Sequence, residues 1–207
     1  MPNLTVRAMA ELIRLPAHNH LRILRAQKYP KQAPQLFQAP YYQAALTGIR
    51  NYHKAGNDDA QLAAAMGKIQ AIALESRRQN NARVLQAFKK CDMSGRLLQP
   101  LVSHTVKAQQ DTVELRLSPD MRAIDKEKER LILMNCRAEK LDHELALITE
   151  EVAFWVLEQN KIKLPIAQIE YVDFFTGQTY IALRRRAATT KALLATVKVI
   201  EAIWPTL

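Results

Sequence analysis

The sequence has 207 residues, of which 48% are hydrophobic, and it carries a formal net charge of +10. This length and composition are typical of one globular domain, and no apolar run approaches the roughly 20 residues that span a bilayer. The two cysteines, Cys91 and Cys136, are too few for a disulfide framework and fit no metal-knuckle spacing, so we expect two reduced thiols.

Helical periodicity dominates the first half of the chain. Residues 4–14 are amphipathic, with Thr5 placed to cap the helix, and a second short helix is predicted at residues 18–27. Pro30 and Pro34 then favour an extended connection, because a residue before proline disfavours the helical conformation.

Two further helices are predicted before the first strand. The stretch YYQAALTGIRNYHKA has apolar and aromatic residues at helical spacing. After the turn at residues 55–59, Asp58 or Asp59 can cap the next helix. That helix is predicted to continue almost unbroken to Lys90.

The hydrophobic period changes in the second half. Residues 112–118 (TVELRLS) alternate between apolar and polar, which predicts a strand with one buried face. Residues 131–134 (LILM) are apolar at every position, which is typical of a strand covered on both faces. An amphipathic helix is predicted to follow from Asp142 to Gln159.

The remaining elements complete an α+β (α/β) pattern. EYVDFF and QTYIAL are predicted to form a hairpin in which Gly177 is left-handed, followed by a Thr-capped helix from about Thr190 to Ile203. The order of elements predicts a basic helical region, residues 1–111, and a small mixed β-sheet flanked by helices, residues 112–207. We expect the two regions to form one compact unit.

Residues at the ends of two predicted strands carry a resemblance to a known family. The first strand leads to Asp120, and LILM ends at Asn135-Cys136-Arg137, so that fifteen positions separate Asp120 from Asn135. This order resembles the PD-(D/E)XK nuclease superfamily, in particular the RecB-type branch that includes the CRISPR adaptation exonucleases. In that family a metal-binding aspartate is followed, at the end of the next strand, by a carboxylate and a lysine. The resemblance implies a restriction-endonuclease-like core with Asp120, Asn135 and Arg137 at degenerate catalytic positions.

The two substituted positions change what such a site can do. Mg²⁺ prefers hard oxygen ligands, usually carboxylates, and lowers the pKa of a bound water. The Asn135 amide offers one neutral oxygen, and Arg137 keeps a positive charge that it cannot lose at a useful pH. An arginine can still bind a phosphate through two hydrogen bonds. We therefore expect a site that binds a phosphate backbone, uses no metal cofactor and does not cut the backbone.

An active nuclease is an alternative, in which a catalytic carboxylate has moved to the neighbouring helix. The candidates are Glu139, Glu144 and Glu151, and an active site would hold Mg²⁺ with Asp120, Glu144 and Glu151. The competing interpretation of Glu144 and Glu151 is a solvated polar helix face, since they are seven positions apart. Asp173 could approach the same strand ends or point to solvent.

Basic residues are concentrated in the first half. Residues 1–111 contain 16 Lys and Arg against 6 Asp and Glu, whereas residues 112–207 contain 14 of each. Such asymmetry is typical of a surface that faces a polyanion. The predicted nucleic-acid-binding residues are Arg77, Arg78, Arg83, Lys89, Lys90, Arg184, Arg185 and Arg186, with Arg22, Arg25, Lys28 and Lys31 upstream and Tyr41, Tyr42 and Tyr52 as stacking candidates. The alternative for each basic cluster is an ordinary solvated helix face.

These features together predict a cytoplasmic, nuclease-like protein. The N-terminal residues lack the continuous apolar segment of a secretory signal, and no membrane partner is expected. The predicted role is to bind nucleic acid, in the first place DNA, or a partner subunit in a DNA-processing or antiviral defence assembly. A purely structural protein-interaction subunit is the other alternative.

Overall fold

The computed structural model describes residues 1–29 and 41–207. The predicted extended connection with Pro30 and Pro34, and the basic residue Lys31, lie outside the described residues. Within the described ranges the chain forms seven α-helices and eight β-strands, which is an α+β fold. None of these helices is both long enough and apolar enough to cross a membrane.

The chain begins with a short strand, β1 (Asn3–Thr5), and two helices, α1 (Val6–Arg14) and α2 (Ala17–Lys28). The Thr5 hydroxyl accepts a hydrogen bond from Ala8 N at 3.1 Å, which confirms the predicted cap. One side of α1 buries Met9 and Leu12 in the core. Because that side is buried, the polar side of α1 is held at a fixed position over the sheet.

Three helices follow: α3 (Gln43–Lys54), α4 (Asp59–Gln70) and α5 (Glu75–Lys90). The prediction of one almost unbroken helix from the turn to Lys90 is wrong, because the chain reverses between α4 and α5. Ile69 of α4 and Val84 of α5 both pack in one cluster with Ile49 of α3, and a straight helix could not bring them together. A hydrophobic pattern alone does not distinguish one long helix from two that share a core.

The strands form two sheets. They are β2 (Gln99–Leu101), β3 (Val106–Gln110), β4 (Val113–Leu117), β5 (Met121–Asp125), β6 (Lys128–Asn135), β7 (Ile169–Asp173) and β8 (Thr179–Tyr180). One sheet has the order β1-β4-β3, and the other has the order β2-β5-β6-β7-β8. In the larger sheet only β6 and β7 are parallel, and the other neighbours are antiparallel.

The two strands predicted to be consecutive lie in different sheets. TVELRLS forms β4, which pairs with β1 and β3, whereas LILM lies in β6 and has β5 as its antiparallel neighbour. The sequence prediction missed β5 because one face of it carries Arg122 and the other ends in Asp125, which conceals its alternation. The boundary predicted at residues 111 and 112 falls in the turn between β3 and β4, so the first region also contains strands.

Two long helices complete the fold, α6 (His143–Gln159) between β6 and β7, and α7 (Ala187–Ile203) after β8. Asp142 caps α6 by accepting a hydrogen bond from Leu145 N at 2.8 Å. The predicted Thr cap of α7 is wrong, since the helix begins at Ala187 after Arg186 without a side-chain cap. The hairpin of β7 and β8 is confirmed, and Gly177 has φ of 76° in its loop.

Strand β6 is covered on both faces, as predicted. Leu131 and Leu133 pack in a cluster that includes residues of α1, α6 and α7. Ile132 and Met134 pack on the opposite face in the cluster formed by α3, α4 and α5. Helices therefore flank the large sheet on both sides, and the end of β6 is enclosed between α1 and the helices of the other layer.

Candidate functional site

Three strand ends meet at one edge of the five-stranded sheet. Asp120 directly precedes β5, and the parallel register of β6 and β7 pairs Asn135 with Asp173. Asp120, Asn135 and Arg137 line one cavity of about 310 Å³, which we call the strand-end cavity. The predicted motif positions are therefore close in space, beside the carboxyl ends of two parallel strands, where α/β sheets commonly bind ligands.

Arg7 of α1 neutralises the Asp120 carboxylate. Its Nη2 forms an ion pair with Asp120 Oδ2, and its Nε donates to the Tyr171 hydroxyl at 3.1 Å. The same carboxylate oxygen accepts a hydrogen bond from Met134 N at 2.8 Å. Burial alone would lower the pKa of Arg7, but the charge of Asp120 raises that pKa above its ordinary value. The guanidinium is therefore permanently charged beside the carboxylate.

Arg50 of α3 holds the main chain at the same residue. Its Nε and Nη2 donate to the Asp120 carbonyl oxygen at 2.9 and 2.6 Å. Asp120 is thus held through its side chain by α1 and through its backbone by α3. Helices of both layers fix this residue at the sheet edge.

Asn135 links neighbouring segments through all of its polar groups. Its Nδ2 donates to Asp173 Oδ1 at 2.8 Å and to Glu139 O at 3.0 Å, and its Oδ1 accepts from Arg137 N at 3.1 Å. Asp173 is fully buried and also accepts from Leu141 N at 3.2 Å, so the alternative in which it points to solvent is wrong. These bonds satisfy a buried carboxylate with neutral donors and fix the loop between β6 and α6.

Arg137 extends over the strand-end cavity between two carboxylates. Its Nη1 lies 3.4 Å from Glu139 Oε1, its Nη2 lies 3.7 Å from Glu11 Oε1, and its side chain is 65% exposed. Exposed ion pairs at such distances contribute little free energy. The Arg137 guanidinium can therefore exchange these partners for a phosphate group.

The oxygen donors at this cavity do not fit Mg²⁺. The Asp120 carboxylate is already paired with Arg7, whose charge would repel a second cation, and the Asn135 oxygen is bonded to a backbone N–H. Mg²⁺ requires near-octahedral oxygen ligands, normally including carboxylates. Among residues 1–29 and 41–207, no group of three or more His, Cys, Asp or Glu side chains could hold a metal ion.

Glu144 and Glu151 do not join Asp120. Both contact Arg186, whose Nη1 lies 2.6 Å from Glu144 Oε1 and whose Nε is paired with Glu151 Oε1. Glu151 is only 4% exposed, so the prediction of a solvated face is wrong at this position. The chain entering α7 covers this side of α6, which the spacing within α6 could not indicate.

Glu150, the residue that precedes Glu151 in α6, is also a buried acid. It is fully buried, its Oε2 accepts a hydrogen bond from Ala182 N, and its Oε1 has no partner among the described residues. Burial raises the pKa of Glu150 to about 8. This carboxyl group is therefore largely protonated at neutral pH, in contrast to its ion-paired neighbour.

The thiol beside the motif is inert. Burial, reinforced by the charge of Asp120, raises the pKa of Cys136 to about 12. Burial also raises the pKa of Tyr171, although Arg7 acts in the opposite direction. Because the thiolate is the reactive form of cysteine, Cys136 is not a nucleophile here. Both cysteines are free, as predicted, and both are buried.

The basic residues predicted on α5 lie on a helix whose arginines contact carbonyl oxygens. Arg77 donates to Tyr41 O at 3.2 Å, Arg78 donates to Ile72 O at 3.3 Å, and Arg83 donates to Cys136 O. A carbonyl contact orients a guanidinium without cancelling its charge. Lys89 lies 4.0 Å from Asp59, and Lys90 is exposed. The cations of α5 therefore remain candidates for contact with a polyanion.

The arginine triplet differs, because carboxylates of α6 compensate two of its charges. Arg185 lies 2.8 Å from Glu158 Oε2, and Arg186 contacts two glutamates, while Arg184 is exposed. Upstream, Lys28 donates to the carbonyl oxygens of Trp204 and Leu207 at 2.8 and 3.2 Å. The densest basic run in the sequence is thus less available to a polyanion than α5.

The predicted stacking tyrosines have different environments. Tyr52 is 9% exposed and packs edge-on against Phe88 with ring centroids 5.3 Å apart, so it cannot stack on a base and the prediction is wrong there. Tyr42 lines the strand-end cavity, and the Tyr41 hydroxyl accepts from Asn80 Nδ2 at 3.1 Å. Only Tyr42 of the three adjoins the predicted motif positions.

The sequence prediction missed the residues that control this site, Arg7 and Arg50. Arg7 lies 113 positions before Asp120, and no spacing within α1 or α3 indicates such a contact. The only signal in the sequence was an arginine on the polar side of an amphipathic helix, which many surface helices share.

Comparisons with known proteins add no relative. No protein-family model matches the chain. No curated protein and no solved structure matches it either.

Proposed function

We propose that this chain is a degenerate nuclease-like protein that binds a nucleic-acid backbone, in the first place DNA, and does not cleave it with a metal ion. The observation that carries the proposal is the pairing of Asp120 with Arg7 at the point where the strand ends meet. A fixed guanidinium supplies the positive charge that a metal ion would supply in an active nuclease of this type. It offers no exchangeable water that could act as a nucleophile.

The order of elements supports the proposed kinship in part. The helix α6 and then β7 and β8 follow β6 in the order that the resemblance implies, but the strand expected to lead to Asp120, β4, lies in the other sheet, and Asp120 instead precedes β5. The hydrogen bond from Met134 N to Asp120 Oδ2, at 2.8 Å, brings the aspartate beside the end of LILM. This proximity is what a shared metal site would require of the motif positions before their substitution.

Backbone binding is assigned to the cations beside the strand-end cavity. Within residues 1–29 and 41–207, Arg137 is held by weak exposed ion pairs, Lys140 lines the same cavity, and Arg83 donates to the carbonyl oxygen of Cys136 in the cavity lining. Such contacts are electrostatic and independent of base sequence. Carboxylates of Glu11 and Glu139 nearby oppose a polyanion, so we expect moderate affinity that decreases steeply with salt.

Fluorescence anisotropy with end-labelled DNA tests the binding. Wild-type protein should bind at about 50 mM salt and lose affinity linearly in log–log coordinates as salt increases, because bound counterions are released. Arg137→Ala should weaken binding and reduce that slope by about 1, whereas Arg185→Ala, whose charge is compensated by Glu158, is the matched control. Absence of binding at low salt would contradict the proposal and favour the purely structural protein-interaction role.

A cleavage assay tests whether the protein cuts the DNA that it binds. The same DNA, incubated with Mg²⁺ or Mn²⁺, should stay at full length. Metal-dependent shortening that Asp120→Ala abolishes would support the active nuclease instead.

A further inference from the structure

A second cavity lies between the end of α5 and the loop that joins β7 to β8. Its volume is about 360 Å³, within the range of small-molecule pockets. The residues that line it include Arg83, Gln86, Lys90, Phe175 and Thr176, and none of its lining residues, all in the described ranges, is acidic. The lining of this loop cavity therefore differs in charge from that of the strand-end cavity, which includes both carboxylates and cations.

An exposed aromatic side chain, Phe175, lines this cavity. Phe175 is 54% exposed, whereas the adjacent Phe174 is 2% exposed and packs edge-on against Phe88 with ring centroids 6.2 Å apart. The loop is tied to the buried Asp173, whose Oδ1 accepts from Phe175 N at 3.1 Å and whose Oδ2 accepts from the Thr176 hydroxyl at 2.8 Å. The backbone that carries the exposed ring is thus held by a core residue, so the ring is presented to solvent with little loop freedom to lose on binding.

Two cations line the same cavity as Phe175. Arg83 and Lys90 are seven positions apart on α5 and therefore lie on the same side of the helix. Arg83 lines the loop cavity and also donates to the carbonyl oxygen of Cys136, which lines the strand-end cavity, so this side chain lies beside both cavities. The Arg83 Nε is sealed from solvent, so it is the other atoms of this half-buried side chain that can face an anion in the loop cavity.

We propose that the loop cavity binds an unpaired base of a single-stranded nucleic acid, with the base stacked on Phe175 and the adjoining phosphate at Lys90 and Arg83. An aromatic side chain can stack on the face of any base, but a base inside a duplex has both faces covered by its neighbours. This site deepens the proposed function and rests on it, because the backbone of the same strand continues to the strand-end cavity through Arg83. The substrate class is thus a single strand, or a duplex with a frayed end.

Anisotropy with two probes tests the inference: labelled oligo(dT), which forms no self-pairs, and the blunt oligo(dA)·oligo(dT) duplex of the same length. Wild-type protein should bind oligo(dT) about 5- to 150-fold more tightly than the duplex, the range expected for one stacked base. Phe175→Ala should remove this preference, and Phe175→Trp should retain it. Leu183→Ala, at an apolar side chain that is 82% exposed and does not line the cavity, is the matched control.

A spectroscopic readout separates stacking from a change in fold. An oligonucleotide that contains 2-aminopurine should lose fluorescence on binding to wild type and to Phe175→Trp, and should not lose it with Phe175→Ala. Binding of both DNA probes with equal affinity, unaffected by Phe175→Ala, overturns the base site and leaves the proposed backbone binding intact. Absence of binding to either probe at low salt overturns both.

Discussion

Replacement of Arg7 by alanine is the most informative perturbation of the site. The Arg7 side chain connects α1 to the strand ends through Asp120 and Tyr171, and it faces Met134 O at 3.4 Å. Without it, the Asp120 carboxylate keeps the hydrogen bond from Met134 N but loses its counter-charge. The substitution should therefore destabilise the protein, because a partly buried carboxylate is left unpaired.

The magnitude follows from the burial of the pair. Removing one partner of a fully buried ion pair costs about 3–5 kcal/mol. The Arg7 and Asp120 side chains are 37% and 16% exposed, so water screens part of the interaction and about 2–3 kcal/mol is expected. For a protein of this size, that loss corresponds to a decrease of about 5–10 °C in Tm. Asp120→Asn in the same background removes the unpaired charge, so the double variant should recover part of the loss.

Urea unfolding followed by far-ultraviolet circular dichroism measures these free energies in the wild type, both single variants and the double variant. The four values form a double-mutant cycle, with an expected coupling energy of about 1–2 kcal/mol. A loss below about 0.5 kcal/mol for Arg7→Ala, or strict additivity of the two substitutions, would refute the view that Arg7 holds the charge of Asp120.

Five further variants test the helix packing, the ionisation of Glu150 and the pairing of Arg186. Gly48→Ala should destabilise the protein by about 1–3 kcal/mol, because the added Cβ would lie 2.5 Å from the Cβ of Ala65 in α4. Gly67→Ala, where the added Cβ meets nothing within 4 Å, should stabilise α4 by about 0.5–1 kcal/mol. Urea unfolding distinguishes the two variants, and equal effects would contradict the close contact between α3 and α4. The folded protein retains a proton on Glu150 that the unfolded chain loses, because the pKa is raised from 4.5 to about 8. The free energy of unfolding should therefore fall by about 1 kcal/mol per pH unit between those values, and a Glu150→Gln variant that keeps the same slope would count against this assignment. Arg186→Ala should destabilise the protein by about 2–4 kcal/mol, since it leaves the Glu151 side chain, which is 2% exposed, without its partner. Arg185→Ala should destabilise it by less than about 0.5 kcal/mol, because its ion pair is exposed. Equal losses of stability for the two variants in thermal unfolding would contradict the buried pairing of Arg186 with Glu151.

Local sequence patterns predicted those elements that depend on neighbours along the chain. Thr5 caps a helix, Gly177 occupies a left-handed turn, and LILM is buried on both faces, each for a reason visible within a few residues. Strand β5 was missed, because the charged residues Arg122 and Asp125 obscure its alternation. β5 pairs with β6 through a turn in which Lys126 and Glu127 both have positive φ. Such turns normally contain Gly, Asn or Asp, so the residue types at these two positions do not indicate a hairpin.

The candidate site shows the same division. The spacing between Asp120 and the end of LILM pointed to Asp120, Asn135 and Arg137 as one site, and these three residues do line one cavity. They are close because the ends of neighbouring strands meet at one edge of the sheet. The partners of those residues could not be predicted. Arg7 contacts Asp120 from α1, and Arg186 covers Glu151 from the start of α7, so both contacts depend on helix packing rather than on sequence proximity.

Binding without cleavage is tested most directly by measuring DNA binding and the length of the DNA strand in one sample. End-labelled oligo(dT) is mixed with the protein at about 50 mM salt, anisotropy is recorded, and the strand is sized after incubation with Mg²⁺ or Mn²⁺. We predict bound DNA of unchanged length, both for wild type and for Asp120→Ala. Metal-dependent shortening by wild type that is lost in Asp120→Ala, or no binding at this salt concentration, would contradict the proposed function.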